Sequence, residues 1–184
     1  MKPTCKVCKP GDKLLWLTNN PNSTEGPVIE DATGTKIWYL NGKRHREDGP
    51  AVERVDGTKE WYLNDKRHRE DGPAVEKANG DKEWWQNGEF HRIDGPALDW
   101  VSGGYKAWYQ NGKLHREDGP AFEHVNGYTI WYLNGKCHKE DGPAVEHANG
   151  DKAWYLNNVY ITKDPLVFPS KLHEYQLTSS QSPV

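Results

Sequence analysis

Hydrophobic and polar positions along this chain follow one recurring string. KIWYL at Lys36 to Leu40 is aromatic and β-prone, Asn41-Gly42 follows it, and the polar stretch KRHREDGP leads back to Ala51-Val52. The glycines before the recurring prolines, Gly26, Gly49, Gly72, Gly95, Gly119 and Gly142, are separated by 23, 23, 23, 24 and 23 residues. Tryptophans keep the same step at Trp38, Trp61, Trp84, Trp108, Trp131 and Trp154, and histidines at His45, His68, His91, His115 and His138. A period of this size signals a linear array, in which each copy buries its apolar face only against its neighbours.

Asn-Gly directly after a β-prone run marks a two-residue type I′ hairpin. The pair recurs as Asn64-Asp65, Asn87-Gly88, Asn111-Gly112, Asn134-Gly135 and Asn157-Asn158, all residue types that tolerate positive φ. A kink or bulge is expected at each Asp-Gly-Pro, where proline cannot donate to a ladder and glycine admits an unusual backbone. A second glycine, as in Val55-Asp56-Gly57, reverses the chain into the next copy. Three full strands per copy would flip successive copies, whereas two keep them parallel, so one hairpin per copy with a long kinked return strand is expected. The fold class read from this is all-β: an elongated single-layer antiparallel sheet of stacked hairpins that advances roughly 10 Å per copy.

The two-residue turn sets a register in which Leu40 opposes Lys43, Tyr39 opposes Arg44, Trp38 opposes His45, Ile37 opposes Arg46 and Lys36 opposes Glu47. The next copies would oppose Glu60 to Arg69, Lys59 to Glu70 and Glu83 to Arg92. The chain divides into a CxxC segment at 1–10, the array at 11–161, and a C-terminal cap and flexible tail at 162–184. Residues 11–26 serve as an N-terminal cap, and LVFP at Leu166 to Pro169 is the last apolar cluster.

Composition narrows the function classes. Leu, Ile, Val and Phe make only 31 of 184 residues, but nine Trp and nine Tyr supply apolar surface and the net charge is -3, so an ordered chain with a thin core is expected. Mixed charge of that size gives no field for phosphate backbones or anionic lipid, which argues against nucleic-acid and membrane partners. MKPTCKVCKP lacks an apolar h-region, and no run reaches membrane-spanning length, so a cytoplasmic location is expected. Three cysteines, Cys5, Cys8 and Cys137, make no disulfide framework.

NGKRH at Asn41 to His45, an aromatic two places before the asparagine, a glycine soon after the histidine and the 23-residue period together resemble the MORN repeat. The resemblance spans about residues 11–161. HREDGP stands where that repeat usually has HGxG, and KIWY where it has a YEG-type entry, a variant similar to MORN-like repeats of bacterial, phage and large-virus proteins. The resemblance implies a single-layer sheet of stacked hairpins used as a scaffold or binding surface, without intrinsic catalysis.

Candidate chemistry is sparse. Equivalent histidines roughly 10 Å apart cannot share a zinc ion, whose ligand nitrogens lie within ~2.1 Å, so packing against the tryptophans is their expected role. Cys5 and Cys8 form half of a zinc knuckle, and no essential metal or other cofactor is expected. No catalytic residue is assigned, because the acidic residues Glu47 and Asp48 recur along the array whereas a dyad would occur once, and a one-layer sheet offers few pockets. The tyrosine column of Tyr39, Tyr62, Tyr109 and Tyr132, in which Trp85 replaces one tyrosine, either packs against Arg44, Arg67 and Phe90 or faces a ligand. The leading expectation is a non-enzymatic protein-binding array, in a sharper form a phage or viral inhibitor that blocks a host defence protein. The alternative is a small-ligand or nucleotide-binding protein. The partner's centre of contact is expected in the third and fourth copies, where Trp85 opposes Phe90, Trp100 replaces Arg54 and Lys77, and Gly103-Gly104 carries the extra residue.

Overall fold

The computed structural model describes residues 13–15 and 28–179. Its hairpin turns follow from the backbone demands of type I′ geometry. Asn41 has φ 51° and Gly42 φ 78°, and positive φ recurs at Asn64, Asp65, Asn87, Gly88, Asn111, Gly112, Asn134, Gly135, Asn157 and Asn158. All six predicted turns are present. In the first copy Lys36–Leu40 runs out and Lys43–Arg44 returns, with Leu40 opposite Lys43 and Tyr39 opposite Arg44 as the turn dictates.

Beyond that point the register departs from expectation. Ile37 opposes Val52 and Lys36 opposes Glu53, so the expected oppositions to Arg46 and Glu47 do not form. Trp38 marks the break: its carbonyl accepts from His45 N–H (3.1 Å), and its own N–H donates to the Ala51 carbonyl (2.9 Å). Residues 46–50 therefore leave the sheet as a loop closed on the two sides of one tryptophan. The same pair of bonds brackets Trp61, Trp84, Trp108 and Trp131. Glu60 accordingly opposes Val52 and Val75 rather than Arg69, Lys59 opposes Glu53 and Glu76 rather than Glu70, and Glu83 opposes Val75 and Leu98 rather than Arg92.

The Asp-Gly-Pro glycine also differs in its reason for being there. Gly49, Gly72, Gly95, Gly119 and Gly142 are not among the positive-φ glycines. What they supply is space: a Cβ on Gly49 would sit 2.9 Å from Arg46 Cζ, and one on Gly119 would sit 2.5 Å from Arg116 Cζ. The guanidinium lies across the glycine with its other side over the tryptophan ring.

Both halves of the return strand run antiparallel to the same outgoing strand, so each copy has two strand directions and successive copies run alike. Val52–Glu53 then pairs with Lys59–Glu60 of the next copy after a turn at Gly57, φ 90°. The hairpin halves are joined too, by Arg46 N–H to the Tyr62 carbonyl (3.1 Å) and Asp65 N–H to the Arg44 carbonyl (2.9 Å). The result is one long, open antiparallel sheet of tandem hairpins, compatible with a MORN-like repeat.

Opposed residues share a face. Ile37, Val52, Tyr39 and Arg44 lie on what we call the tyrosine face, and Trp38, Lys36, Lys43 and Glu53 on the tryptophan face, which also carries the loops. The core is thin. Ala51, Ala74, Ala97, Ala121 and Ala144 are fully buried, and Val52, Val75 and Tyr62 nearly so.

The sixth copy shows what the loop does by lacking it. Lys152–Leu156 pairs with Val159–Thr162 through a single register shift, and the chain then forms a helix at Phe168–Ser179 that the sequence reading did not foresee. Phe168, from the expected apolar cluster, packs on Trp154 at 5.8 Å, where other copies place a loop cation. Leu177 to Ser179, expected in the tail, are the helix's last residues. Lys13–Leu15 pairs with Val28–Glu30, whereas Cys5, Cys8, Trp16 and the stretch Thr18 to Pro27 lie outside the described residues. Among the described residues no helix is long and apolar enough to cross a membrane.

Candidate functional surface

On the tryptophan face the loops repeat one arrangement. Arg46 Cζ lies 4.3 Å from the Trp38 ring, and Arg69, Arg92 and Arg116 lie 4.0, 4.1 and 4.1 Å from Trp61, Trp84 and Trp108. Lys139 takes the role on Trp131, with Nζ at 4.0 Å. Each guanidinium is turned by the aspartate two places on: Arg46 Nε donates to Asp48 Oδ1 (2.8 Å), and the bond recurs at Asp71 (2.8 Å), Asp94 (2.8 Å) and Asp118 (2.9 Å). A cation over an indole gains ~0.5 to 1 kcal/mol at exposed sites. The neighbouring arginine's hydrogen bond and charge hold the carboxyls of Asp71, Asp94 and Asp118 below the usual range.

The histidines tie each copy to the next. His45 Nδ1 accepts from the backbone N–H of Asn64 (3.2 Å), and His68, His91, His115 and His138 accept likewise from Asn87, Asn111, Asn134 and Asn157. Nε2 of His45, His68, His115 and His138 lies beside the loop glutamate, 3.5 Å away in the His45–Glu47 pair. Each histidine thus joins its own strand, through its N–H on the tryptophan carbonyl, to the hairpin turn of the next copy. Among the described residues no three His, Cys, Asp or Glu side chains are grouped as a metal ion would require.

Successive loops border a row of open grooves. Four such grooves have volumes of about 670, 530, 540 and 420 Å³. Each has an indole and the residue two places after it on its floor, Trp61 with Leu63 in the first and Trp84 with Gln86 in the second. Loop carboxylates such as Glu47, Asp48, Glu70 and Asp71 form the walls.

The residues singled out from sequence lie together on the opposite, tyrosine face. There Glu60 and Glu83 occupy the position that Ile37 holds in the first copy. Glu60 is 5 % exposed and accepts from Arg54 (2.6 Å), Tyr62 (2.7 Å) and Arg67 (3.2 Å). Burial pushes its carboxyl up, but these hydrogen bonds outweigh burial and hold it below the usual range. Burial and the Glu60 bond raise Tyr62. Glu83 takes Lys77 (3.0 Å) and Trp85 Nε1 (3.0 Å), and the same Lys77 ammonium lies 4.3 Å from the Trp100 ring. Trp85 and Trp100 are therefore on one face and linked through Glu83 and Lys77.

Along this face the column stacks from copy to copy. Arg44 lies over Tyr62 (3.9 Å), Arg67 over Trp85 (5.1 Å), Trp85 on Phe90 (3.7 Å) and Phe90 on Tyr109 (5.0 Å). Tyr39 opposes Arg44 and Tyr132 opposes Cys137. The cross-strand packing expected as one role of this column is present. What sequence reasoning missed is the loop face and Ile93, the residue at which one loop exchanges its glutamate for an exposed apolar side chain. The repeat alignment carried that signal.

No family model matches this sequence, and no curated protein matches it either.

Proposed function

We propose that this chain is a non-enzymatic protein-binding array that meets its partner over an extended surface. The observation that carries the reading is the row of grooves between successive loops, each with the same indole, imidazole and carboxylate lining. A linear series of shallow, similar sites suits a macromolecule better than a single small substrate, whose sites are few and concave. On the loop face the departure from the repeat falls in the third copy, at Ile93, and supports a centre of contact there, whereas Trp85, Phe90 and Trp100 depart from the repeat on the opposite, tyrosine face. The narrower form, a phage or viral inhibitor of a host defence protein, rests on the repeat resemblance alone.

The nucleotide-binding alternative draws on the groove arginines. Arg46, Arg69 and Arg92 are each engaged by an aspartate at 2.8 Å, so a phosphate would have to displace a carboxylate and meet the glutamates of the walls. One experiment separates the two readings. The intact chain is used as bait in extract of its native host, captured proteins are purified, and direct binding is measured by calorimetry. A captured protein that binds directly supports the array reading. A stoichiometric nucleotide carried by the purified chain, with no protein binding directly, refutes it.

A further inference from the structure

We propose that the two central grooves, on either side of Ile93, form one bipartite site for an extended segment of a partner protein. That segment places an apolar side chain against Ile93 and a lysine or arginine to each side of it. The proposal deepens the protein-binding reading above and rests on it.

Four of the five loops carry a glutamate directly after the loop cation: Glu47, Glu70, Glu117 and Glu140. The third loop carries Ile93, which is 80 % exposed and lines both the 530 and the 540 Å³ groove. A branched apolar side chain held in water adds nothing to a fold whose other copies manage with glutamate. The floors of these two grooves differ as well. Gln86 and Gln110 stand where the outer grooves have Leu63 and Leu133. A side-chain amide, which both donates and accepts, matches the alternating N–H and C=O groups of an extended peptide. Two polar floors joined by one apolar wall are found at this place alone in the described loops.

Charge selects the flanking residues. In the outer walls Arg69 stands with Glu70 and Asp71, and Arg116 with Glu117 and Asp118, so carboxylates outnumber cations there. The middle loop pairs Arg92 with Asp94 at 2.8 Å and has no glutamate. The pattern is negative, apolar, negative at intervals of one copy, roughly 10 Å, and an extended chain covers that distance in about three residues. The segment that fits has a basic residue, an apolar residue three places on and a second basic residue three places beyond.

The probe is a fluorescent nonapeptide with leucine at its centre, lysine three places to either side, and serine or glycine elsewhere. Its binding to the full chain is followed by anisotropy. Saturable binding is expected, weakened about tenfold or more for Ile93→Glu. That substitution installs the residue of the other loops at an exposed position and so leaves the fold intact, which circular dichroism checks. Equal weakening is expected for a peptide with serine at its centre. The Glu70→Gln/Glu117→Gln protein should bind more weakly and with a shallower salt dependence. Failure of the peptide to saturate, equal binding by Ile93→Glu, or equal binding by a peptide with glutamates for lysines overturns the proposal. A protein partner that binds the intact chain and Ile93→Glu alike would remove this site while leaving the broader protein-binding reading in place.

Discussion

Replacing Gly119 by alanine tests whether the glycine of Asp-Gly-Pro is present for space rather than for backbone freedom. A Cβ there would meet Arg116 Cζ at 2.5 Å and Nε at 2.8 Å, both at the far end of a flexible side chain. The guanidinium would swing away, giving up its stack on Trp108 at 4.1 Å and its bonds to Asp118 and Glu123. An exposed cation–π contact is worth ~0.5 to 1 kcal/mol and the ion pair to Glu123 ~0.2 to 1 kcal/mol, so those two together come to about 1 to 2 kcal/mol. Alanine at an unstrained position returns ~0.4 to 1 kcal/mol by restricting the unfolded chain. Gly119→Ala should therefore destabilise by about 1 kcal/mol, measured by urea unfolding followed through tryptophan fluorescence. In an Arg116→Ala background the same change should be neutral or stabilising. A cost of similar size in both backgrounds would refute the steric argument, because the coupling through Arg116 would be absent.

Three further outcomes follow from the geometry. Phe168→Ala should uncover Trp154 and cost about 3 kcal/mol, seen as faster amide exchange confined to residues 152–162, whereas faster exchange throughout the array would contradict the capping role. Burial pushes the Cys137 thiol up to about 11, so in a Cys5→Ser/Cys8→Ser protein it should resist a thiol reagent at pH 8 until urea is added. The carboxyls of Asp71, Asp94 and Asp118 are lowered in the folded chain, so their contribution is fully present above the unfolded carboxylate value of about 3.9 and lost as pH falls through the lowered values. Urea midpoints should drop below pH 4, and less steeply in Arg69→Ala/Arg92→Ala/Arg116→Ala; identical profiles would show that these pairs do not couple to folding.

The parts of this fold that were legible in the sequence are those that demand particular backbone angles. Asn41-Gly42 and its repeats can hardly be anything but type I′ turns, and the period with strand parity then gives the stack. The loop at 46–50 was not legible because Lys36–Glu47 and Ile37–Arg46 look like acceptable cross-strand pairs, so nothing in the local pattern signals that the strand leaves the sheet at His45 and rejoins it at Ala51. The partners of Glu60 were missed for a related reason: Arg54 and Arg67 reach it only once the true register is known. The helix at Phe168–Ser179 lacks a marked apolar stripe and buries only Phe168, so periodicity could not announce it. On the surface, departures from the repeat pointed to the third copy, but grooves between loops cannot be read from a pattern that treats those loops as strand.

The central claim, that the loop face is where a partner docks, is tested most directly by hydrogen–deuterium exchange of the intact chain with and without a captured, purified protein partner. The account predicts slowed exchange in the loops around residues 91–96 and 115–119, diminished in Ile93→Glu. Slowed exchange confined to the tyrosine-face strands at Leu98–Trp100 and Tyr105–Ala107, with those loops unchanged, would contradict it.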